Sequence, residues 1–423
     1  MKRIGWFVLF FLWTCQTANA EFDLQFAIDQ AKPGEIVHIP AGRYQGNFTV
    51  KKSIKLQGET GVELYSQNTE PALKIDHTAN VSIEDIMISA KNKGIVVNEV
   101  ENLKLKAIEI KDVQVGIHIQ RSKHIQLLEN KIVGNQLHYA EKGNGIAVFK
   151  SEDIAIKHNA IDLVQDGIYV EEVRHINVGQ NEVKNSRYGT HFMYSSDVKV
   201  LFNSYLHNVT GLMVMMTTDL EIASNTISNH NDFNSYGLLM YDTQQAKVRK
   251  NSIRNNRVGV AMQKCSVIQI QENGFQMNQT ALEGTKVDHH SIINDNQFTG
   301  NILTARSDQQ GFRLVRNFYD DYRGIDVEGD GFGDVPYVAV SSFGQWMVRQ
   351  PVYQFFVASP SVMILTSLDQ EVNKTEQNLL VDNEPRLISH TKEKSFSINI
   401  LQFIIGLVVS MSGFWLWKRG VEV

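Results

Sequence analysis

The sequence has almost no cysteine: two in 423 residues. Cys15 lies in an apolar leader, so the mature chain is expected to keep Cys265 alone and to form no intramolecular disulfide, although export would permit one. Stability must then come from burial. Proline is scarce too, at seven, and 43% of the residues are hydrophobic, which excludes a disordered chain. An excess of positive charge is also missing. The 41 basic and 46 acidic side chains leave a formal charge of −5, which argues against a nucleic-acid partner. The length allows one large domain or two ordinary ones.

What the chain does have begins with two apolar ends. Residues 1–20 read as a signal peptide, with Lys2 and Arg3, then "IGWFVLFFLW", then a small-residue cleavage site at Ala18–Ala20. Thr14 before Cys15 fits a lipidation site poorly. At the other end, Ser397 to Trp417 carries no charge and is followed by Lys418 and Arg419, so one membrane-spanning helix with a cytoplasmic end is expected. The layout predicted is a leader at 1–20, a body at 21–345, a tail and linker at 346–396, a span at 397–417 and a cytoplasmic end at 418–423. The body would be exported and tethered by that one C-terminal helix.

The body is a repeat. "NKGIVVN", "QVGIHIQ", "GNGIAVF", "QDGIYVE", "RYGTHFM", "VTGLMVM", "SYGLLMY" and "RVGVAMQ" align on Gly94, Gly116, Gly145, Gly167, Gly189, Gly211, Gly237 and Gly259. The intervals are 22, 29, 22, 22, 22, 26 and 22, so one period holds with insertions of seven and four. Extension by 22 each way lands on Ala72 and Ala281. Fourteen residues after each anchor from Gly116 onward stand Asn130, Asn159, Asn181, Asn203, Asn225, Asn251 and Asn273. This phase predicts a turn whose amides hydrogen-bond from layer to layer. A short period of β-rich segments with recurring Gly and Asn predicts an all-β fold, a single-stranded right-handed parallel β-helix of pectin-lyase-like type. "DLQFAIDQA" would cap the front and residues after about Asn301 the back, since an open rung is an exposed edge.

Positions one and three after each glycine are apolar and should point inward, so positions two and four should point outward. The outward columns carry Tyr169, His191, Met213 and Leu239, and Glu171, Met193, Met215 and Tyr241; position five adds Tyr194 and Met216. At either end the same positions revert to Ala, Glu, Lys and Gln, so the patch is local. Three readings stay open from the residues alone. The chain's own loop or tail could cover the patch. A partner could dock on it through Tyr169, Tyr194, Leu239 and Tyr241, which is the favoured reading because Met and Tyr anchor at low entropic cost. Or His191, Met193, Met213, Met215 and Met216 could bind Cu(I), which soft thioethers select.

The stretch "FYDDYRGIDVEGDGFGDVPY" places Asp326, Glu328, Asp330 and Asp334 at positions 1, 3, 5 and 9 of a glycine-rich loop. That is the spacing of a Ca2+ loop, although Tyr337 stands where a twelfth-position acid would be; the bland reading is a polar turn. From Gln350 the repeat is gone, and "EVNKTEQNLLVDNEPRLISHTKEKS" reads as a polar linker. β-Helices also host polysaccharide-processing enzymes. Glycoside hydrolysis needs paired carboxylates on one face, and the stripe offers only the neighbours Glu171 and Glu172, so the chain is expected not to be an enzyme.

"RYGTHFMYSSD", "GLMVMMTTDLEIASNTI", "YGLLMYDTQQAKVRKNSI" and "NFYDDYRGIDVEGDGFGDVPY" together resemble the NosD family, periplasmic β-helical maturation factors of nitrous oxide reductase. The resemblance runs from about Phe22 to Ser361. It implies a non-enzymatic accessory protein that works beside an ABC transporter, an ATPase plus a membrane subunit, with nitrous oxide reductase and a copper chaperone as further partners. On it, the stripe becomes a docking or copper-handover face for copper–sulfur centre assembly. The C-terminal span departs from the family pattern. The rival reading is a carbohydrate-binding or polysaccharide-processing β-helix.

Overall fold

The computed structural model describes residues 22–134, 142–308, 311–339, 346, 350–356, 359–372 and 380–387. The leader at 1–20 and the span at 397–417 lie outside them. Among the described residues no helix is long and apolar enough to cross a membrane.

The 22-residue period becomes a stack of parallel turns, as the repeat predicts. A regular turn holds two strands of six residues and one of three, as in Asp166–Glu171, Arg174–Gly179 and Glu182–Lys184. Each strand pairs in parallel with its copy one turn later: Ile168 with Thr190, Thr190 with Leu212, Leu212 with Leu238. Among the described residues the result is two sheets of 25 and 13 strands. The seven- and four-residue insertions fall between the short strand and the next turn, so register survives them: Ile117 still faces Ile146, and Leu212 faces Leu238.

Alternation fills the interior. Ile146, Val148, Ile168, Val170, Leu212, Val214, Leu238 and Met240 are each 0% exposed. Fully burying each such side chain contributes about 1.5–3 kcal/mol. The anchor glycines are there because the turn closes against its neighbour. A Cβ on Gly189 would lie 2.4 Å from the Gly211 carbonyl oxygen and 2.5 Å from the Tyr205 ring.

The corners are polar and self-satisfying. Asn159 Nδ2 donates to Asn181 Oδ1 at 2.9 Å, Asn181 to Asn203 at 3.0 Å, and Asn203 to Asn225 at 3.0 Å. The ladder extends beyond the sequence expectation to Asn296 and Asn317. A second, less regular ladder runs through Ser186, Asn208, His230, Asn256 and Asn278. Non-glycine residues take the left-handed conformation at other corners, such as Glu172 (φ 54) and Tyr194 (φ 51). Their amides pair with the next layer, Tyr194 N to Met215 O at 3.2 Å, which holds a backbone region that is otherwise unfavourable.

At the front, the helix Leu24–Gln30 is capped by Asp23 and buries Leu24 and Ile28, closing the first rung. At the back the sequence reading needs correction. Leu303–Ser307, Phe312–Val315 and Phe318–Tyr319 complete one more turn. The cap includes residues 380–387, which the polarity of the sequence assigned to a linker. Val381–Asp382 pairs antiparallel with Tyr337–Val338 and parallel with Leu314. Arg386 binds Asp295 at 2.5 Å and Arg316 binds Glu384 at 2.7 Å. A buried carboxylate and two ion pairs fix a segment whose composition is that of a solvated loop.

Candidate functional site

The expected stripe forms. Tyr169, His191, Met213 and Leu239 stack in one column, and Glu171, Met193, Met215 and Tyr241 in the next. Neighbours in a column are spaced about 4.8 Å apart by strand pairing. Tyr194 and Met216 occupy left-handed corners (φ 51 and 48), and Tyr194 is 53% exposed.

The stripe is more enclosed than alternation alone predicts. His191 is 7% and Met213 9% exposed, while Tyr169, Met193, Met215, Leu239 and Tyr241 are half-buried. Aromatic neighbours supply the cover. The rings of Tyr169 and Tyr188 meet His191 edge-on, at 5.0 and 5.1 Å between centroids. The aromatic run continues through Phe149 and His118, at 5.5 and 5.1 Å. The tail also reaches this region. Phe355 stacks on Phe233, in the four-residue insertion between the Met213 and Leu239 turns, at 6.3 Å, and Arg257 lies over the same ring.

Two residues at the centre of the site escape a reading by columns. Asp166, 1% exposed, precedes Gly167 on the strand before His191. Its carboxylate accepts from Arg187 Nε and Nη2, both at 2.8 Å, and lies 3.1 Å from His191 Nδ1. A carboxylate held by a guanidinium only accepts, so Nδ1 donates to it, and in the neutral ring that leaves the lone pair on Nε2. That Nε2 is buried and has no hydrogen-bond partner among the described residues. The sequence signal was an acid at the position before the glycine, where the next turns carry Tyr188, Thr210 and Tyr236.

Tyr169 donates to Glu171 Oε2 at 2.7 Å and lies 3.4 Å from Met193 Sδ. Burial, then the Glu171 carboxylate, push its hydroxyl well above the usual phenol range. Tyr241 accepts from Lys264 Nζ at 2.9 Å. Cys265 is free and buried, and burial raises its thiol to about 11, which sets it apart from the soft-ligand chemistry of the stripe.

The acidic loop does not gather its carboxylates. Asp326 accepts from the amides of Gly329, Asp330 and Gly331, led by Gly331, and these hold it below the usual carboxylate range. Asp334 accepts from Val327 N at 2.6 Å and Asp330 from Phe332 N at 2.9 Å. Glu328 lies in the exposed bend between them. Among the described residues no group of three His, Cys, Asp or Glu comes together as a metal cage. The Ca2+ spacing is realised as a backbone-bonding turn, because Gly329 and Gly331 at φ +75 and +87 aim amides at Asp326.

Glu171 and Glu172 do not face each other either. Glu171 stays on the strand against Tyr169, and Glu172 turns out at a left-handed corner near Lys150. A separate open groove lies over strands further round the turn, with Lys199, Glu221, Lys247, Arg249, Gln269 and Gln271 along it. Its charges are partly spent internally, as in Arg249 to Glu221, and no aromatic platform lines it.

The class is then defined: a parallel β-helix whose one specialised face is a partly buried His/Met/Tyr stripe. A family model described as "Periplasmic copper-binding protein (NosD)" matches residues 128–324. Two proteins named "Probable ABC transporter binding protein NosD", from Stutzerimonas stutzeri and Pseudomonas aeruginosa, are 23% and 24% identical over 356 and 359 residues. Each alignment covers 77% of this chain, and 81% and 82% of the relatives. The chain is therefore similar to NosD proteins over most of its length. Among solved structures, the Streptococcus pneumoniae surface protein and adhesin PfbA superposes with a TM-score of 0.51 at 12% identity. It covers 69% of this chain and 94% of its own, a likeness of fold alone.

Proposed function

We propose that this chain is a non-catalytic periplasmic accessory protein for nitrous oxide reductase maturation, which docks with an ABC transporter and handles Cu(I) on the His191 stripe. The observation that carries the reading is the buried, unpartnered Nε2 of His191, oriented by Asp166 and set in the column of Met213. A lone pair without a donor in a near-dry site is costly unless something binds it. Cu(I) is cargo here. His191 Nε2, Met213 and Met193 are the groups that would hold it, and Met215 and Met216 would extend the path along the stripe. Imidazole and thioether are soft enough to select Cu(I) over harder ions. Asp166 acts as a positioning residue, fixing the ring by the outer-shell bond that metal-binding histidines generally carry.

The names of the two relatives support the transporter as partner, and the family description supports the periplasm and copper. The body would be held at the inner membrane by the 397–417 helix, with the transporter's ATPase and membrane subunit, nitrous oxide reductase and a copper chaperone as its partners. Tyr194 and Tyr241, at the stripe's edge, are its docking contacts.

An anaerobic Cu(I) competition titration tests the reading, comparing the native chain with Met193→Leu/Met213→Leu/Met215→Leu. Tight binding that weakens at least tenfold in the variant is expected. Equal binding in both would remove copper from the stripe and leave it as a docking face.

A further inference from the structure

Charge is missing from one exposed stretch. Residues 350–368, "QPVYQFFVASPSVMILTSL", contain no Asp, Glu, Lys or Arg. The stretch is nevertheless turned outward: Val352 is 57% exposed, Phe355 70%, Phe356 54%, Met363 64%, Ile364 61% and Leu368 49%. Among the described residues, nine of the twenty large hydrophobic side chains that stand exposed lie between Trp346 and Leu368. The helix Pro360–Val372 buries Val362 and turns Met363, Ile364 and Leu368 away from the rod. An uncharged apolar surface with aromatic residues at its edge suits the headgroup–acyl boundary of a bilayer. A protein interface would carry a polar and charged rim.

Position in the chain agrees. Phe355 rests on Phe233 beside the Gly237 turn. The last layer of the rod, holding Asp382, lies four turns further on, about 20 Å along the stack. From Leu387, next to that layer, ten residues lead to Ser397, a reach of at most about 35 Å. The exposed surface therefore lies toward the same end of the rod as Leu387, from which the charge-free C-terminal stretch is a short chain away in sequence.

We propose that residues 350–356 and 359–368 form a lipid-contacting surface that seats this end of the rod in the bilayer interface. The proposal rests on the membrane-anchored reading above and extends it from a single tether to two contacts, which fix the rod's orientation to the membrane.

The test uses the mature full-length chain in phosphatidylcholine/phosphatidylglycerol vesicles, with an environment-sensitive fluorophore on Leu365→Cys or, as the control, on Met277→Cys. Leu365 is 50% and Met277 64% exposed, and buried Cys265 stays unlabelled. Brominated lipid is expected to quench the Leu365 probe at least threefold more than the Met277 probe, with aqueous iodide showing the reverse order. Iodide access equal at both sites overturns the proposal. So does a Leu365 probe shielded from both quenchers, which would mark a second copy or another protein as the occupant. Alkaline carbonate extraction separates the two readings. Chain that resists extraction while its Leu365 probe stays open to iodide keeps the span and loses the surface. Chain that is stripped, after lipid quenching at Leu365, keeps the surface and loses the span.

Discussion

Asp382 lies 65 residues beyond Asn317 in sequence, yet its Oδ2 accepts from both the backbone N and the Nδ2 of Asn317, at 2.9 and 3.1 Å. It stands where the next asparagine of the ladder would be. Every other rung both accepts from the turn before it and donates onward. At the last rung only acceptors are needed, and a carboxylate supplies them. Its Oδ2 also accepts from the Tyr319 hydroxyl at 3.0 Å, and its Oδ1 from Arg316 N at 3.0 Å.

Asp382→Asn is therefore not conservative. With its oxygen kept on Asn317 and Tyr319, the amide would turn its NH2 toward the backbone N–H groups of Arg316 and Glu384, leaving those donors unpaired. A loss of about 2–4 kcal/mol is expected in urea unfolding, at one or two unsatisfied groups. Asp382→Ala, which also takes the acceptor from Asn317 and Tyr319, should cost more. An Asn variant as stable as the native chain would show that the 380–387 segment does not close the rod.

Gly189 makes the second test of the fold. A methyl there would lie 2.4 Å from a carbonyl oxygen of the next turn, and backbone cannot move aside as a side chain can. Gly189→Ala should destabilise by about 1–3 kcal/mol, the usual cost of overpacking. Gly274→Ala, where nothing lies within 4 Å of the added carbon, should stay close to native in the same thermal melt.

These two residues also mark what can be read from the sequence. The glycine and asparagine columns are periodic, and period carries the turn, the strand directions and the inward face of Ile168 and Val170. It also put His191, Met193, Met213 and Met215 on one face. Asp166 and Arg187 were missed because their bonds run across layers at separations of 21 and 25 residues, just off the repeat. Asp382 was missed because nothing periodic leads to it. The acidic loop misled for a different reason: the spacing of Asp326, Glu328, Asp330 and Asp334 suits a Ca2+ loop and a backbone-bonded turn equally, and the glycines bring the amides of Gly329 and Gly331 to Asp326 first.

His230 should make stability depend on pH. It fills an asparagine position in the second ladder, fully buried, with Asn208 N 3.2 Å from its Nδ1. Burial lowers its pKa from the ordinary 6.5 to about 4. A depressed histidine favours folding while it is neutral. Its contribution is thus fully present above about pH 6.5 and is lost as pH falls toward 4, by an amount on the order of 3 kcal/mol. His230→Asn, which matches Asn208 and Asn256 on either side, should flatten that part of the stability–pH curve in urea titrations between pH 4 and 7. An unchanged slope would assign the acid sensitivity to other groups.

Asp166 separates the metal reading of the stripe from a packing one. If His191 serves only to fill space among Tyr169 and Tyr188, changing the group on its Nδ1 should alter stability and nothing else. If Nε2 is a ligand, the carboxylate both fixes the tautomer and raises the basicity of the ring. Asp166→Asn should then weaken Cu(I) about 10–100-fold, the usual effect of removing such an outer-shell partner. Because Asp166 also holds Arg187, the variant loses stability as well, so a second change is needed: Arg187→Gln breaks the ion pair but leaves the bond to His191. Copper affinity that falls with Asp166→Asn and holds with Arg187→Gln, measured on folded protein by anaerobic competition, ties the effect to the imidazole. Equal losses in both would trace it to the damaged fold instead.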